Sequence, residues 1–264
     1  MRNVACCETH REAIGTIFNQ PTDLMFRFFR KRLCWVPTTP ACLLMALVVG
    51  AAGVVAVRCV NSFLSVTQPI SAQVLVVEGW LPDYAMRAAA QEFSRGNYQC
   101  LVTAGESDPE LAKWSRFTNW ADHAAAELSK LQVDPAKIIA APSAYTSRDR
   151  TYSSAMAVKD WLAHQPQIKT ANLYTLGSHG RRTRLLYEKA IGSSISIGII
   201  SHQDAAYDPK HWWATSEGTR IVGSEAIAYF YARFMFPLLH KDGKKQRSLQ
   251  PQSHQQPTLS SNTV

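Results

Sequence analysis

From residue 71 onward, short apolar runs alternate with longer segments in which apolar residues recur every three or four positions. The short runs, such as Gln73–Val77, are rich in Val, Ile and Leu, which is typical of strands buried on both faces of a sheet. The longer segments have the spacing of helices that pack one side on a core. Strands are predicted at 73–77, 100–104, 137–141, 171–176 and 195–200, and helices at 83–95, 118–131, 149–164, 181–191 and 215–236.

This alternation of strands and helices predicts the fold class. Parallel strands need crossover connections of about a dozen residues or more, and helices of the predicted length supply them. The sequence therefore predicts an α/β fold, a Rossmann-like three-layer αβα sandwich with a mostly parallel sheet, preceded by one transmembrane helix. In such folds ligands bind beyond the carboxyl ends of the strands, so the residues that follow each strand are the first candidates for a site.

An uninterrupted apolar run of seventeen residues, Ala41–Val57, precedes the predicted domain. Its length is at the lower limit for a helix that crosses a bilayer. Arg27, Arg30 and Lys31 lie on its amino-terminal side, and basic flanks stay in the cytoplasm, so the amino terminus is predicted to be inside. A cleaved signal peptide is the alternative, but Val55–Arg58 is a poor cleavage site, and an uncleaved anchor is favoured.

The predicted organisation follows from these segments. It comprises a basic cytoplasmic segment (1–40), a transmembrane anchor (41–60), a linker (61–70), the α/β domain (71–236) and a disordered tail (237–264). The predicted location is the inner or cytoplasmic membrane, crossed once, with the domain in the periplasm or an equivalent extracytoplasmic space. The tail is rich in Gln, Ser and Pro and has no apolar periodicity, which is typical of disorder.

The net charge of +8 is concentrated at the two ends of the chain. Residues 1–70 carry +4 and residues 237–264 carry +3, whereas residues 71–236 carry only +1. A nucleic-acid-binding domain carries its basic residues on the fold itself, so no nucleic-acid partner is predicted. Of six cysteines only Cys100 falls within the predicted domain, and no Cys/His spacing matches a zinc site, so no metal site is predicted.

Polar residues directly follow three of the predicted strands. These residues are Glu78-Gly79, Gly105-Glu106 and Gly177-Ser178-His179. Because the carboxyl ends of parallel strands meet at one edge of a sheet, we expect them to gather into one pocket. Glu78 and His179 are the candidate catalytic residues, since carboxylates and imidazoles act as general acids and bases.

Arginines accompany two of the predicted helix starts. One start carries Arg181 and Arg182, and the other is the run Arg148–Thr151. Backbone N–H groups at a helix start favour an anion, and a guanidinium binds phosphate or carboxylate through two parallel hydrogen bonds. The alternative is that the arginines form ion pairs within the protein and that Ser147 or Asp149 caps the helix. The candidate ligand-binding residues are Gly79, Gly105, Glu106, Arg148, Asp149, Arg150, Thr151, Ser178, Arg181 and Arg182.

The motifs together, in this order, resemble the SanA/ElyC/YdcF family of bacterial proteins. The resemblance is carried by an opening strand and turn (Val74–Gly79), a second strand (Leu101–Glu106), a polar helix start (Asp149–Ala155) and a later strand with its turn (Tyr174–Arg182). It covers roughly residues 71 to 200. Glu78-Gly79-Trp80 stands where the family has a glycine-rich turn, and Ser153-Ser154 where it has Glu-Asn, as in a divergent branch.

The resemblance implies a Rossmann-like domain, often anchored and facing the periplasm. Family members are linked to envelope integrity, to the use of lipid-linked peptidoglycan precursors and to barrier function. The resemblance further implies a possible second ligand class, because one cytosolic-type member binds S-adenosylmethionine. It implies no reaction, and the sequence itself has no GxGxxG, P-loop, GxSxG or HExxH motif that would identify a cofactor or an enzyme class.

Three functions are open on these grounds. The first is a membrane-anchored protein of envelope biogenesis that binds, and in its catalytic form processes, an anionic small molecule or a lipid-linked glycan. The second is a module that binds a nucleotide or S-adenosylmethionine, with Glu78 or Glu106 on the ribose; an extracytoplasmic location speaks against it. The third is a non-catalytic envelope scaffold whose polar edge binds a partner protein.

Overall fold

A computed structural model describes residues 38–237. The chain divides into two compact units, Met1–Ala52 and Gly53–Val264. Most of the predicted cytoplasmic segment and almost all of the predicted tail lie outside the described residues.

The first described element is a long apolar helix, α1 (Thr39–Leu64), of 26 residues. At 1.5 Å per residue it is roughly 39 Å long, which exceeds the hydrocarbon thickness of about 30 Å. Its most apolar stretch of 18 residues has a mean hydropathy of 2.4, and none of that stretch is buried. Leu43, Leu47 and Val49 are among its exposed side chains. By length and composition α1 can therefore cross a membrane.

The domain is built on a five-stranded sheet in which every pairing is parallel. The strands are β1 (Val74–Glu78), β2 (Cys100–Glu106), β3 (Ile138–Ser143), β4 (Thr170–Leu176) and β5 (Ser196–His202). Their order across the sheet is β3-β2-β1-β4-β5. Every residue of β1 is buried, as expected for a central strand covered on both faces. The predicted parallel α/β sheet is confirmed.

Helices cover both faces of the sheet and complete the three layers. They are α2 (Asp83–Arg95), α3 (Leu111–Trp114), α4 (Trp120–Lys130), α5 (Arg150–Ala163), α6 (Gly180–Ile191) and α7 (Ser216–Phe230). Leu75 and Val77 share a core with α2 and α4, whereas Val74 and Val76 share one with α5 and α6. This division follows from the strand period of two, which sends successive side chains to opposite faces. Among the α-helices of the domain, the short α3 is the one that the sequence pattern did not predict.

The last turns of α1 belong to the folded domain. The buried side chain of Asn61 accepts a hydrogen bond from the Tyr207 hydroxyl (2.8 Å), and Leu64 shares a small core with Trp212 and Val222. The indole N–H of Trp212 donates to the carbonyl oxygen of Val57 (2.9 Å). The predicted linker of 61–70 thus begins as helix. Its second half is also tied down, because residue 68 pairs with β5 through two backbone hydrogen bonds.

Two glycines at strand ends are explained by a close approach of helix α4. A Cβ atom on Gly79 would lie 2.4 Å from the Trp120 carbonyl oxygen, and one on Gly105 would lie 2.6 Å from the Ala121 nitrogen. Asn119 caps this helix, since its side-chain oxygen accepts from the backbone N–H of Asp122 (2.8 Å). The first turn of α4 therefore rests directly on the carboxyl ends of β1 and β2, where only glycine leaves room.

Substitution of Gly79 by alanine is therefore expected to destabilise the domain. The added methyl group must displace backbone atoms of α4, and overpacking of this kind costs about 1–3 kcal/mol. Gly223→Ala in α7 is the matched control, because no atom lies within 4 Å of its Cβ position and helix propensity favours alanine there. Thermal unfolding of the full chain in detergent, followed by circular dichroism, should give a lower Tm for Gly79→Ala only. Equal Tm values for the two variants would contradict the close approach.

Candidate functional site

A cavity of about 730 Å³ lies at the carboxyl edge of the sheet. The strand order reverses at β1, with β2 and β3 on one side and β4 and β5 on the other. Open α/β sheets bind ligands at this switch point, because the flanking connections leave there in opposite directions. The ends of β1 and β2 and the turn after β4 contribute to the lining, together with the starts of α5 and α6. Helix α7 and the π-helical turn that continues it (Tyr231–Met235) form the remaining wall.

Glu78 ends β1 and is buried at the switch point, with 5% of its surface exposed. The Thr175 hydroxyl in β4 donates to its Oε2 atom, and the Thr183 hydroxyl in α6 donates to Oε1 at 3.4 Å. Both donors are neutral. Within the described part of the chain, no guanidinium or ammonium group is hydrogen-bonded to this carboxylate, so its charge is directed at the cavity.

His179 lies between two carboxylates. Its Nδ1 atom is 2.9 Å from Oε1 of Glu225 in α7, and its Nε2 atom is 3.9 Å from Oε1 of Glu78. A carboxylate accepting from Nδ1–H leaves the lone pair of a neutral imidazole on Nε2. The 3.9 Å between Nε2 of His179 and Oε1 of Glu78 is too long for a direct hydrogen bond, so each atom can accept a hydrogen bond from a separate donor of a ligand in the cavity. Trp80 packs edge-on against the imidazole, with ring centroids 4.9 Å apart.

Arg182 joins three helices at this point. Its Nε and Nη2 atoms donate to the two carboxylate oxygens of Glu225 at 2.8 and 3.1 Å, the bidentate geometry that makes such pairs strong. Its Nη1 atom donates to the Thr151 hydroxyl at the start of α5 (3.2 Å). Nη2 is also 3.0 and 3.1 Å from the two ring nitrogens of His179, and near-equal distances place it over the ring face.

A second ion pair lies at the end of β2. Arg150 donates to Oε1 of Glu106 (2.9 Å), while Oε2 of Glu106 is buried and has no hydrogen-bond partner among the described residues. The Glu106 side chain is 9% exposed and that of Arg150 is 67% exposed, so only the arginine can reorient freely. Asp149 precedes α5 with a left-handed φ of 54° and makes no capping bond with its side chain. The capping role predicted as one alternative for Asp149 is therefore wrong.

The two paired carboxylates have opposite pKa shifts. Burial raises the pKa of Glu106 and outweighs the charge and hydrogen bond of Arg150, which lower it. Burial by itself also raises the pKa of Glu225, but hydrogen bonds and charges from His179 and Arg182 together outweigh it and lower the pKa to about 2. Glu225 therefore stays ionised throughout the neutral and mildly acidic range, as an anchor for two cationic or polar groups must.

The structure brings most of the predicted site residues together. Those that line the cavity are Glu78, Gly105, Glu106, Asp149, Arg150, Thr151, Ser178, His179 and Arg182. Gly79 is buried beside the cavity, where its N–H donates to the Ala104 carbonyl oxygen (2.7 Å).

Two predicted arginines do not line the cavity. Arg148 is exposed, and Arg181 donates from Nε to the Phe63 carbonyl oxygen and lies 4.0 Å above the Phe63 ring. Helical geometry explains the second case, because neighbouring residues point about 100° apart. With Arg182 directed at the cavity, Arg181 must point away from it.

Several polar or aromatic residues of the lining were not predicted as site residues, among them Asp108, Trp120, Asp204 and Glu225. Asp204 is 8% exposed and accepts from the Tyr84 hydroxyl (3.2 Å), a contact made across 120 residues of sequence. Of these residues only Glu225 could have been noticed in the sequence, because it is a charged residue in a largely apolar stretch of α7. No local sequence pattern indicates that it contacts His179.

Fold and site together define a Rossmann-like α/β domain with a buried carboxylate–histidine–carboxylate cluster at the switch point of its sheet. Among the residues that the structure describes, no three His, Cys, Asp or Glu side chains are grouped so as to hold a metal ion. The sequence matches no protein-family model, and no curated protein matches it.

The low pKa of Glu225 predicts how stability depends on pH. A carboxyl whose pKa falls from 4.5 to about 2 on folding stabilises the native state above pH 4.5, and this contribution is lost as the pH falls towards 2. Glu225→Gln should therefore lower the free energy of unfolding by about 3 kcal/mol at neutral pH, with the deficit shrinking below pH 4.5.

Urea unfolding of the full chain at a series of pH values measures this difference. Glu217→Gln is the control, because Glu217 also pairs with an arginine but is exposed, and it should change stability little at any pH. A Glu225→Gln deficit that stayed constant from pH 7 to pH 2.5 would show that charge is not the cause.

Proposed function

We propose that this chain is a membrane-anchored protein of the cell envelope whose cavity binds the sugar part of an anionic glycan, free or lipid-linked, and performs acid–base chemistry on it. The observation that carries the proposal is the position of His179, held by Glu225 on one side and facing Glu78 across 3.9 Å on the other. The apolar helix α1 and the resemblance of the strand-end motifs to the SanA/ElyC/YdcF family support the envelope assignment.

The charges of the cavity favour a ligand rich in hydroxyl groups. Six carboxylates line it (Glu78, Glu106, Asp108, Asp149, Asp204 and Glu225) against three guanidinium groups (Arg150, Arg182 and Arg220), an excess of three. Each of the three arginines is already paired with a carboxylate. Carboxylates only accept hydrogen bonds when ionised, and sugar hydroxyls supply the donors that they need. A compact, highly charged anion would instead be repelled.

Aromatic side chains add the flat surfaces that sugar rings use. Trp80 is 40% exposed at the cavity, and Trp120 is fixed there by a hydrogen bond from its indole N–H to Asp108 (2.9 Å). Such rings present an apolar face while their polar edge is satisfied. One negative group of the ligand has a place at the start of α5, where backbone N–H groups and the exposed Arg150 side chain meet.

The chemistry that this geometry supports is proton transfer to or from a ligand hydroxyl. With Nδ1–H donating to Glu225, Nε2 of His179 can take a proton from a ligand hydroxyl on the cavity side, and Glu225 then stabilises the imidazolium. Glu78 can orient the ligand by accepting a hydrogen bond from a neighbouring hydroxyl, and in the reverse step the imidazolium returns its proton to the oxygen that lost it.

Binding of a peptidoglycan-type disaccharide to the full chain in detergent tests the proposal. We expect calorimetry with N-acetylglucosaminyl-N-acetylmuramic acid to show binding that Glu78→Gln weakens about tenfold or more, because a hydrogen bond to a charged group is lost. His179→Gln should weaken it severalfold, because a hydrogen bond to the neutral imidazole is lost. Glu127→Gln is the control, since Glu127 pairs with Lys130 on α4 and does not line the cavity.

The same titration with inorganic phosphate and with undecaprenyl phosphate separates the sources of negative charge. If only phosphate bound, and a substitution of Arg150 but not Glu78→Gln weakened that binding, the result would refute the sugar site and indicate a simple anion site. Binding of both disaccharide and undecaprenyl phosphate would favour a lipid-linked ligand. Wild-type and Glu78→Gln chains that bind the disaccharide equally would contradict the role of the switch-point carboxylate.

A second candidate ligand is S-adenosylmethionine, and one observation favours it. Glu106 ends the second strand with a buried, unpartnered Oε2 atom, and a carboxylate in that region binds the ribose hydroxyls in dinucleotide-binding folds of this strand order. Glu78 occupies the switch point where a pyrophosphate would lie, so the ligand of such a site would carry no phosphate. Calorimetry with S-adenosylmethionine and NAD, in which only the former binds and Glu106→Gln abolishes it, would support this alternative.

A further inference from the structure

Helix α7 and its π-helical turn carry a group of large apolar side chains on the outside of the domain. Ile227 is 75% exposed, Phe230 60% and Phe234 54%. Phe230 and Phe234 pack on each other, with ring centroids 4.8 Å apart, so the exposed surface is continuous. Contiguous apolar surface of this kind on a soluble face marks a contact with a partner or a membrane. We call these three residues the outer surface of α7.

The other side of α7 is a wall of the cavity. Glu225, Ala228 and Ala232 line it, and Tyr231 both lines it and is 36% exposed. A single helix, about 10 Å across with its side chains, therefore separates the outer surface from the cavity. Whatever covers the outer surface lies next to the ligand site.

Helix α7 also contacts the end of α1. The Phe63 ring, 45% exposed, meets the ring of Tyr229 in α7 edge-on at 5.5 Å. Six residues before Phe63, the carbonyl of Val57 accepts the Trp212 hydrogen bond that ties α1 to the segment before α7. Val57 is the last residue of the apolar run, so the domain contacts α1 where that run ends.

Arginines lie beside this surface and beside the end of α1. Arg233 is exposed and lies 5.7 Å from the centre of the Phe234 ring, and Arg181 lies 4.0 Å above the Phe63 ring. Arg58 is exposed directly after the apolar run. Aromatic and aliphatic side chains flanked by arginines are the composition of protein surfaces that lie in the headgroup region of anionic bilayers.

We propose that the outer surface of α7 lies in the headgroup region of an anionic lipid bilayer, so that the cavity opens beside the lipid headgroups. The inference rests on the proposed function in one respect, that α1 crosses the membrane. The contact of α7 with the end of α1 and the nearby arginines indicate that the occupant is the bilayer. Under this arrangement a lipid-linked ligand reaches the cavity past α7 without leaving the membrane.

Spin-label depth measurements on the full chain test the proposal. Nitroxide labels are placed at Phe230→Cys, at Val49→Cys within α1 and at Asn97→Cys, an exposed control after α2, in a background whose six native cysteines are serine. The chain is reconstituted in phosphatidylglycerol–phosphatidylcholine vesicles. We expect the ratio of oxygen to nickel-chelate collision rates at Phe230 to rise severalfold above that at Asn97, because oxygen concentrates in the bilayer and the chelate is excluded from it.

The three positions distinguish failure of this inference from failure of the anchor. Lipid contact at Val49 with water contact at Phe230 would refute the lipid contact of the outer surface and leave the anchor intact. Water contact at Val49 with lipid contact at Phe230 would refute the anchor and leave the lipid contact of the outer surface intact. Water contact at both positions would refute both claims. Spin–spin broadening at Phe230 without lipid contact would identify a second copy as the occupant and would equally overturn the proposal.

Two further measurements keep the test independent of the cysteine-free background. On the unmodified chain, a photoactivatable phospholipid with its reactive group near the headgroup should crosslink to the 227–235 peptide. No adduct there, with adducts in α1, would contradict the proposal. Arg233→Glu should reduce this crosslinking severalfold in anionic vesicles and leave it unchanged in neutral ones, because only the charge attraction is lost. Equal crosslinking of both chains in anionic vesicles would refute the role of charge.

Discussion

The contact of Glu225 with His179 and Arg182 is the interaction on which the rest of the site depends. Together with the apolar packing of Val222 and Ala232, it holds α7 over the carboxyl edge of the sheet as a wall of the cavity. It also fixes which nitrogen of the imidazole faces Glu78. A buried charge network of this kind is costly to assemble and more costly to leave incomplete, since removal of one member strands the others without partners. Its position at the switch point of the sheet, where α/β folds bind their ligands, is the reason to regard it as functional.

The ionic contacts also revise the ligand expected from the sequence. In the sequence, the arginines at two predicted helix starts indicate a site for an anion. In the fold Arg150 and Arg182 are paired with Glu106 and Glu225, and the lining carries more carboxylates than guanidinium groups. A ligand must then offer hydrogen-bond donors to the carboxylates, and a negative group is accommodated only where an arginine is exposed enough to turn. Sugars with one acidic group satisfy both conditions.

Local sequence patterns predicted the fold well, because strands and helices are specified by residues close together in the sequence. Apolar runs and helical spacing located all five strands, and the meeting of strand ends brought Glu78, Glu106 and His179 to one cavity. Three features could not be predicted from the sequence, for physical reasons. Which of Arg181 and Arg182 points into the cavity depends on the rotation of α6 about its axis, and that rotation is set by how the helix packs. Glu225 reaches His179 across 46 residues, which no spacing rule encodes. Finally, glycine is required at the ends of β1 and β2 because α4 approaches the backbone there, and not because a ligand does.

Helix α7 gives the two proposals a common geometry. One side of it holds the imidazole and lines the cavity, and the other exposes Ile227, Phe230 and Phe234 to the surroundings. In a lipid-linked glycan the sugar is soluble and the lipid is not, so the two parts need different environments a short distance apart. One helix diameter, about 10 Å, is the separation that this fold provides between an acidic, aromatic-lined cavity and an apolar surface bordered by arginines. A free sugar would require only the cavity, and the outer surface of α7 would then have no role in binding it.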